Sequence, residues 1–178
     1  MGLIVGNAAM VAAAKLDFAL DWAAQLGGDP IASASWPVVS GLTQLAASNT
    51  TTTTTVRYTG GAAGTRYQPR CHIVRSSGQE DERAFELSIV ERIVVLELEL
   101  AYGAIRDIGP IDWTAYLGGD AISTHAWTAT GLTIVGSTTG ATVRVSATAS
   151  GVFYATDHSV TASGQEDERS ILLAVQAL

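Results

Sequence analysis

The chain has 178 residues, with 10 Lys and Arg against 17 Asp and Glu and a net charge of −7. That balance excludes a nucleic-acid binder, which needs a basic footprint to displace counterions. The lone cysteine, Cys71, excludes an intrachain disulfide scaffold, and a mean hydropathy of +0.25 leaves apolar surface to be covered by other subunits.

In chain order, Gly2 to Ala14 is apolar, has no Lys or Arg before it, and is far shorter than the ~20 residues of a membrane span. Residues 1–15 read as an N-terminal arm that packs on a neighbouring subunit rather than on its own domain. Leu16, Phe18, Leu20, Trp22, Ala24 and Leu26 then alternate with polar or small residues, the period of a half-buried strand. Gly27-Gly28-Asp29 ends it with turn chemistry. Further β-branched or alternating runs cover 31–39, 42–46, 51–58, 67–74 and 85–90. Thr50 to Thr55 is a loop running into a strand. Gly60-Gly61-Ala62-Ala63-Gly64 lacks the following Lys of a phosphate loop and is a turn.

The same series then returns. Asp21-Trp22, Leu26-Gly27-Gly28-Asp29, Trp36 and Gly41-Leu42-Thr43 reappear as Asp112-Trp113, Leu117-Gly118-Gly119-Asp120, Trp127 and Gly131-Leu132-Thr133. Ser77-Gly78-Gln79-Glu80-Asp81-Glu82-Arg83 is repeated letter for letter as Ser163 to Arg169. A long period with collinear matches is a duplicated domain, not a short-repeat solenoid. Strand-like runs recur at 111–117, 122–129, 132–135, 141–147, 153–160 and 170–175. Short strands with Gly-rich turns in units of roughly 85 to 90 residues describe two tandem immunoglobulin-like β-sandwiches, an all-β chain. The expected boundaries are an arm at 1–15, a first sandwich at 16–91, a strand-like connection at 92–106 and a second sandwich at 107–178. Arg92 to Ala104 lacks the composition of a flexible linker.

Trp22, Trp36, Trp113 and Trp127 are core anchors burying roughly 150–250 Å² each, with an aromatic platform for sugar as the functional alternative. Glu80-Asp81-Glu82 and Glu166-Asp167-Glu168 read as solvated hairpin tips; a calcium site would need six to eight oxygens, and no EF-hand spacing is present. His72 and His158 align, while His125 faces Ala34. None has a second ligand at metal spacing, and no Ser, His and Asp set or nucleophile elbow emerges. Cys71 is a half-buried strand residue. Asn49-Thr50-Thr51 fits a glycosylation sequon, without support from any sign of secretion. No catalytic, cofactor-binding or metal residue is assigned.

Leu-Asp-Trp, Leu-Gly-Gly-Asp-x-Ile, Ser-x-Trp, Gly-Leu-Thr, Gly-x-x-Tyr and Ser-Gly-Gln-x-Asp-Glu-Arg, in that order, resemble the small tail-fibre adaptor proteins of tailed bacteriophages. Gly64-Thr65-Arg66-Tyr67 and Gly151-Val152-Phe153-Tyr154 occupy the Gly-x-x-Tyr step. The resemblance spans 17–90 and 107–175, and the chain departs from the single-domain pattern in carrying two copies and an apolar arm. It implies a non-enzymatic virion structural protein joining tail fibres to the tail tube, nozzle or connector, in several copies around a symmetric ring or collar, with no cofactor, nucleic acid or membrane. The alternative is a carbohydrate-binding or host-surface adhesin module of a phage tail.

Overall fold

The computed structural model describes residues 3–113, 120–136 and 140–177. It divides into two compact units, Met1–Glu91 and Arg92–Leu178. The first contains β1 (Leu3–Val11), β2 (Leu16–Asp21), the single-turn helix α1 (Ala23–Leu26), β3 (Ile31–Ser35), β4 (Leu42–Asn49), β5 (Thr53–Gly60), β6 (Arg66–Tyr67), β7 (Arg70–Arg75) and β8 (Glu80–Val90). The second contains β9 (Val94–Ala101), β10 (Ile105–Ile108), β11 (Ile122–Thr130), β12 (Thr133–Ile134), β13 (Val143–Ser146), β14 (Gly151–Thr161) and β15 (Glu166–Gln176).

Each unit is an immunoglobulin-like sandwich with the same strand order. One sheet runs β1-β8-β7-β3, with β6 added beside β8, against β2-β5-β4; its counterpart runs β9-β15-β14-β11 against β10-β13-β12. In both units the first strand lies parallel to the last, β1 on β8 and β9 on β15, and the other pairings are antiparallel. Alternation of side chains places one face of each strand in the core. In β5 that face is Thr54, Val56 and Tyr58, and in β8 it is Arg83, Phe85, Leu87 and Ile89. The second core gathers Trp113, Trp127, Val143, Val145, Ile171, Leu173 and Val175.

Four sequence expectations are corrected. The segment expected to be a separate arm is β1: Met10 and Val11 are buried against Ile89 and Val90, so the apolar residues serve their own unit. The expected connection is likewise β9, the first strand of the second unit, with Leu100 buried opposite Val175. The alternation from Leu16 to Leu26 is not one strand. β2 ends at Asp21, whose carboxylate accepts from Ala23 N–H at 2.9 Å, and α1 turns the chain so that Trp22 and Leu26 still reach the core. Its counterpart is irregular at 111–113, while the expected strand residues Ala115 and Leu117 lie outside the described residues. Finally, Glu80-Asp81-Glu82 and Glu166-Asp167-Glu168 are strand residues at the starts of β8 and β15; the hairpin tips are Ser76 to Gly78 and Ala162 to Gly164.

Candidate functional site

The repeated motifs meet at one end of each sandwich. In the first unit the Gly-Gly-Asp turn holds the hairpin: the Asp29 carboxylate accepts from Ser77 N–H at 3.2 Å and from Ser77 Oγ at 2.5 Å. Pro30 O accepts from Ser76 N–H at 2.9 Å. In the second, Asp120 accepts from Ser163 N–H at 3.2 Å and Ala121 O from Ala162 N–H at 2.8 Å. The hydroxyls of Ser163 and Thr161 hold the Asp120 carboxyl below the usual carboxylate range, because hydrogen bonds to the ionised form favour it.

The last residue of the hairpin motif joins the same end. Arg83 lies over the Trp22 ring, 4.5 Å from its centroid, and donates to Asp21 O. Such stacking suits a guanidinium that must be buried. Trp22 is fully buried and donates Nε1–H to Thr54 Oγ1 at 3.0 Å, and its backbone N–H reaches Thr52 O at 2.9 Å, so the threonine run is stitched to the Asp-Trp motif. All four tryptophans are buried, as core packing predicts, and none offers a face for a sugar. Thr54 also accepts from Cys71 Sγ at 3.4 Å. Cys71 is completely buried rather than half-buried, and burial pushes its thiol up, away from the reactive thiolate.

The second unit rebuilds this core in polar form. Asp157 stands where Cys71 stands, Ser159 where Ile73 does, and His125 where Ala34 does. Asp157 Oδ2 accepts from Trp113 Nε1 at 3.1 Å, from His125 Nδ1 at 2.8 Å and from Ser159 Oγ at 3.2 Å. The structure thus brings together a serine, a histidine and an aspartate that sequence reading left apart. They do not form a nucleophilic relay, which needs the acid and the serine on opposite ring nitrogens: Ser159 Oγ lies 2.9 Å from the same Nδ1, and both Asp157 and Ser159 are fully buried. Nearby, Asp167 pairs with Arg169 at 2.5 Å, and burial pushes the Asp167 carboxyl up against the pull of Arg169. The signal available in the sequence was the joint replacement of three apolar or thiol positions by a mutually bonding set. It becomes visible only once strand register aligns them.

On the opposite, outward face, His72 meets Glu80 at 3.2 Å and Arg70 meets Glu82 at 3.2 Å, while Arg75 meets Asp81 at 3.1 Å near the hairpin. His158 and Glu166 repeat the first pair at 3.5 Å. Among the described residues no cluster of three His, Cys, Asp or Glu is arranged to hold a metal ion. The Gly-Leu-Thr and Gly-x-x-Tyr motifs also explain each other. Gly41, at φ +92°, lies against the Tyr67 ring, where a Cβ would come within 2.9 Å, and Gly131, at φ +74°, lies against Phe153 in the same way. The counterpart of Tyr67 is therefore Phe153 rather than Tyr154.

Residues 11–88 match the family described as podophage GP4 fiber-tail adaptor protein gp77. The match lies within the first unit, which is thus similar to this adaptor family. The matched span runs from the end of β1 almost to the end of β8, so it contains every motif gathered at the hairpin end. No curated protein matches the chain. Among solved structures the chain is similar to a three-domain immunoglobulin fragment of titin, with 12% identity over 98% of this chain and 63% of that one, and a TM-score of 0.33. It thus spans somewhat under two thirds of that fragment. It is also similar to the tandem immunoglobulin repeats of Dlar, at 12% identity, 97% and 95% coverage and a TM-score of 0.35. The fibronectin(III)-like modules of Clostridium thermocellum CbhA show 13% identity, 98% and 91% coverage and a TM-score of 0.30.

Proposed function

We propose that the chain is a non-enzymatic structural protein of a podophage tail that attaches tail fibres to the tube, nozzle or connector, and that its second unit is a second copy of the adaptor domain. The carrying observation is the family match over the first unit, together with the return of the same motif contacts in the second: Asp to the hairpin serine, Trp to the core, and Gly against an aromatic ring. The motif residues that the two units share build the framework of one end rather than a cleft. That suits a part whose work is to hold neighbours, not to turn over a substrate. In this reading each subunit presents two similar mounts and several subunits form a ring or collar.

The burial of all four tryptophans weighs against the carbohydrate-binding alternative, because aromatic platforms work only when a ring face is open. Cryo-electron microscopy of the assembled particle tests the reading. Density for both sandwiches between fibre and tail is expected. Particles that lack the chain, combined with binding of the isolated protein on a glycan array, would replace it with the host-surface reading.

A further inference from the structure

β9 ends its sheet, and among the described residues no strand pairs with its outer edge. Register fixes which backbone groups face that edge. Tyr102 N–H donates to Gln176 O at 3.1 Å, and Leu100 sits opposite Val175, so Leu96, Leu98 and Leu100 turn their peptide groups toward β15. Alternate residues of a strand turn theirs the other way. The N–H groups of Glu97, Glu99 and Ala101 therefore face the open edge, while Arg106 Nη1 takes the Glu99 carbonyl at 3.3 Å. Val94 and Leu96, each 38% exposed, stand beside them. The edge thus combines main-chain donors, aliphatic side chains and two carboxylates spaced two residues apart, on one face.

We propose that the open edge of β9 binds an extended strand of another tail protein in which apolar residues alternate with Lys or Arg; this deepens the adaptor reading and rests on it. Main-chain hydrogen bonds add the strand to the sheet, and alternate side chains select it. Basic residues opposite Glu97 and Glu99 give favourable cross-strand pairs, whereas a second copy of β9 would set Glu against Glu in a chain already carrying −7. Charged edges guard sheets against unsought pairing; here the same two acids reject the chain's own copies and admit a basic strand. The fold does not demand them, since β1 occupies the same place in the first unit and is uncharged from Leu3 to Val11.

The test uses the full chain, with a synthetic peptide alternating valine and lysine as probe and one alternating valine and glutamate as control. Amide hydrogen exchange at Glu97, Glu99 and Ala101 is expected to slow by about tenfold or more with the lysine peptide, and not with the glutamate peptide. Glu97→Pro removes an N–H that makes no bond to β15, so edge proline is tolerated. It should abolish the response at an unchanged melting temperature. Should that variant fail to fold, the double reversal Glu97→Lys with Glu99→Lys should switch the preference to the glutamate peptide. No slowing, equal slowing by both peptides, or protection that grows with protein concentration in the absence of peptide would overturn the proposal. Equal incorporation of wild type and Glu97→Pro into particles would overturn it and leave the adaptor reading standing. Absence of the wild type from particles would instead defeat the adaptor reading, whatever the peptide result.

Discussion

Trp22 and Trp113 occupy the same place and solve different local problems. Trp22 supports a stacked Arg83 and bonds a threonine; Trp113 is one of three donors to a buried carboxylate. Trp22→Ala and Trp113→Ala should each destabilise their own unit by roughly 3–5 kcal/mol, the usual cost of emptying a large aromatic site, measured by chemical denaturation. The second variant also strips a donor from Asp157, whose Oδ1 has no hydrogen-bond partner among the described residues. It should therefore fall at the upper end of that range. A melting curve like the parent's would mean that the rings are not core. Asp120 supplies a pH signature. Its folded pKa lies below its unfolded value, so its stabilising effect is present above the unfolded pKa of about 3.9 and is lost as pH falls through the lower folded value. The stability gap between wild type and Asp120→Asn should be full at neutral pH and shrink below about pH 4. A gap that does not change with acid would show that the Ser163 contact carries no charge preference.

At the scale of elements, strand existence was legible because period-two alternation and Gly-rich turns are local signals, and ten further runs coincide at least in part with strands. What the sequence hid depends on pairing. An apolar stretch reads the same whether it covers a neighbour or its own last strand, so β1 and β9 were assigned outside the sandwiches. Only the parallel register of Met10 on Ile89 and of Leu98 on Leu173 reveals them as equivalent first strands. The hairpin acids read as loop because polar residues suggest one, but β8 and β15 already begin at Glu80 and Glu166, and Asp167 is fully buried beside Arg169. The motif-bearing end was legible as a set of motifs and not as one site, since Asp29 and Ser77 are 48 residues apart. The correction to β1 reverses an expectation. Deleting residues 2 to 14 removes buried Met10, Val11 and Ala14. Truncating one buried Met already costs about 2–5 kcal/mol, a large share of the stability of a small domain. The truncated chain should lose the first unit's cooperative transition while keeping the second's. Two intact transitions in calorimetry would show that β1 is dispensable to the sandwich.

For the whole molecule, the division at Glu91 and Arg92 has a consequence that the expected boundary at 107 does not share. Each unit closes its own sheet with its own first strand and has its own buried core, so each carries what a small domain needs to fold. A fragment of residues 1–91 and a fragment of residues 92–178 should both melt cooperatively. A fragment beginning at 107 lacks all of β9 and the first half of β10. It thereby loses Leu100 from the core and leaves the backbone edge of β15 unpaired beside Leu173 and Val175. That fragment should be unfolded or aggregated, since an uncovered central strand recruits other chains. Circular dichroism and gel filtration of the three fragments decide between the boundaries. If 107–178 folds as well as 92–178, β9 is an accessory strand and Leu100 is dispensable to the core.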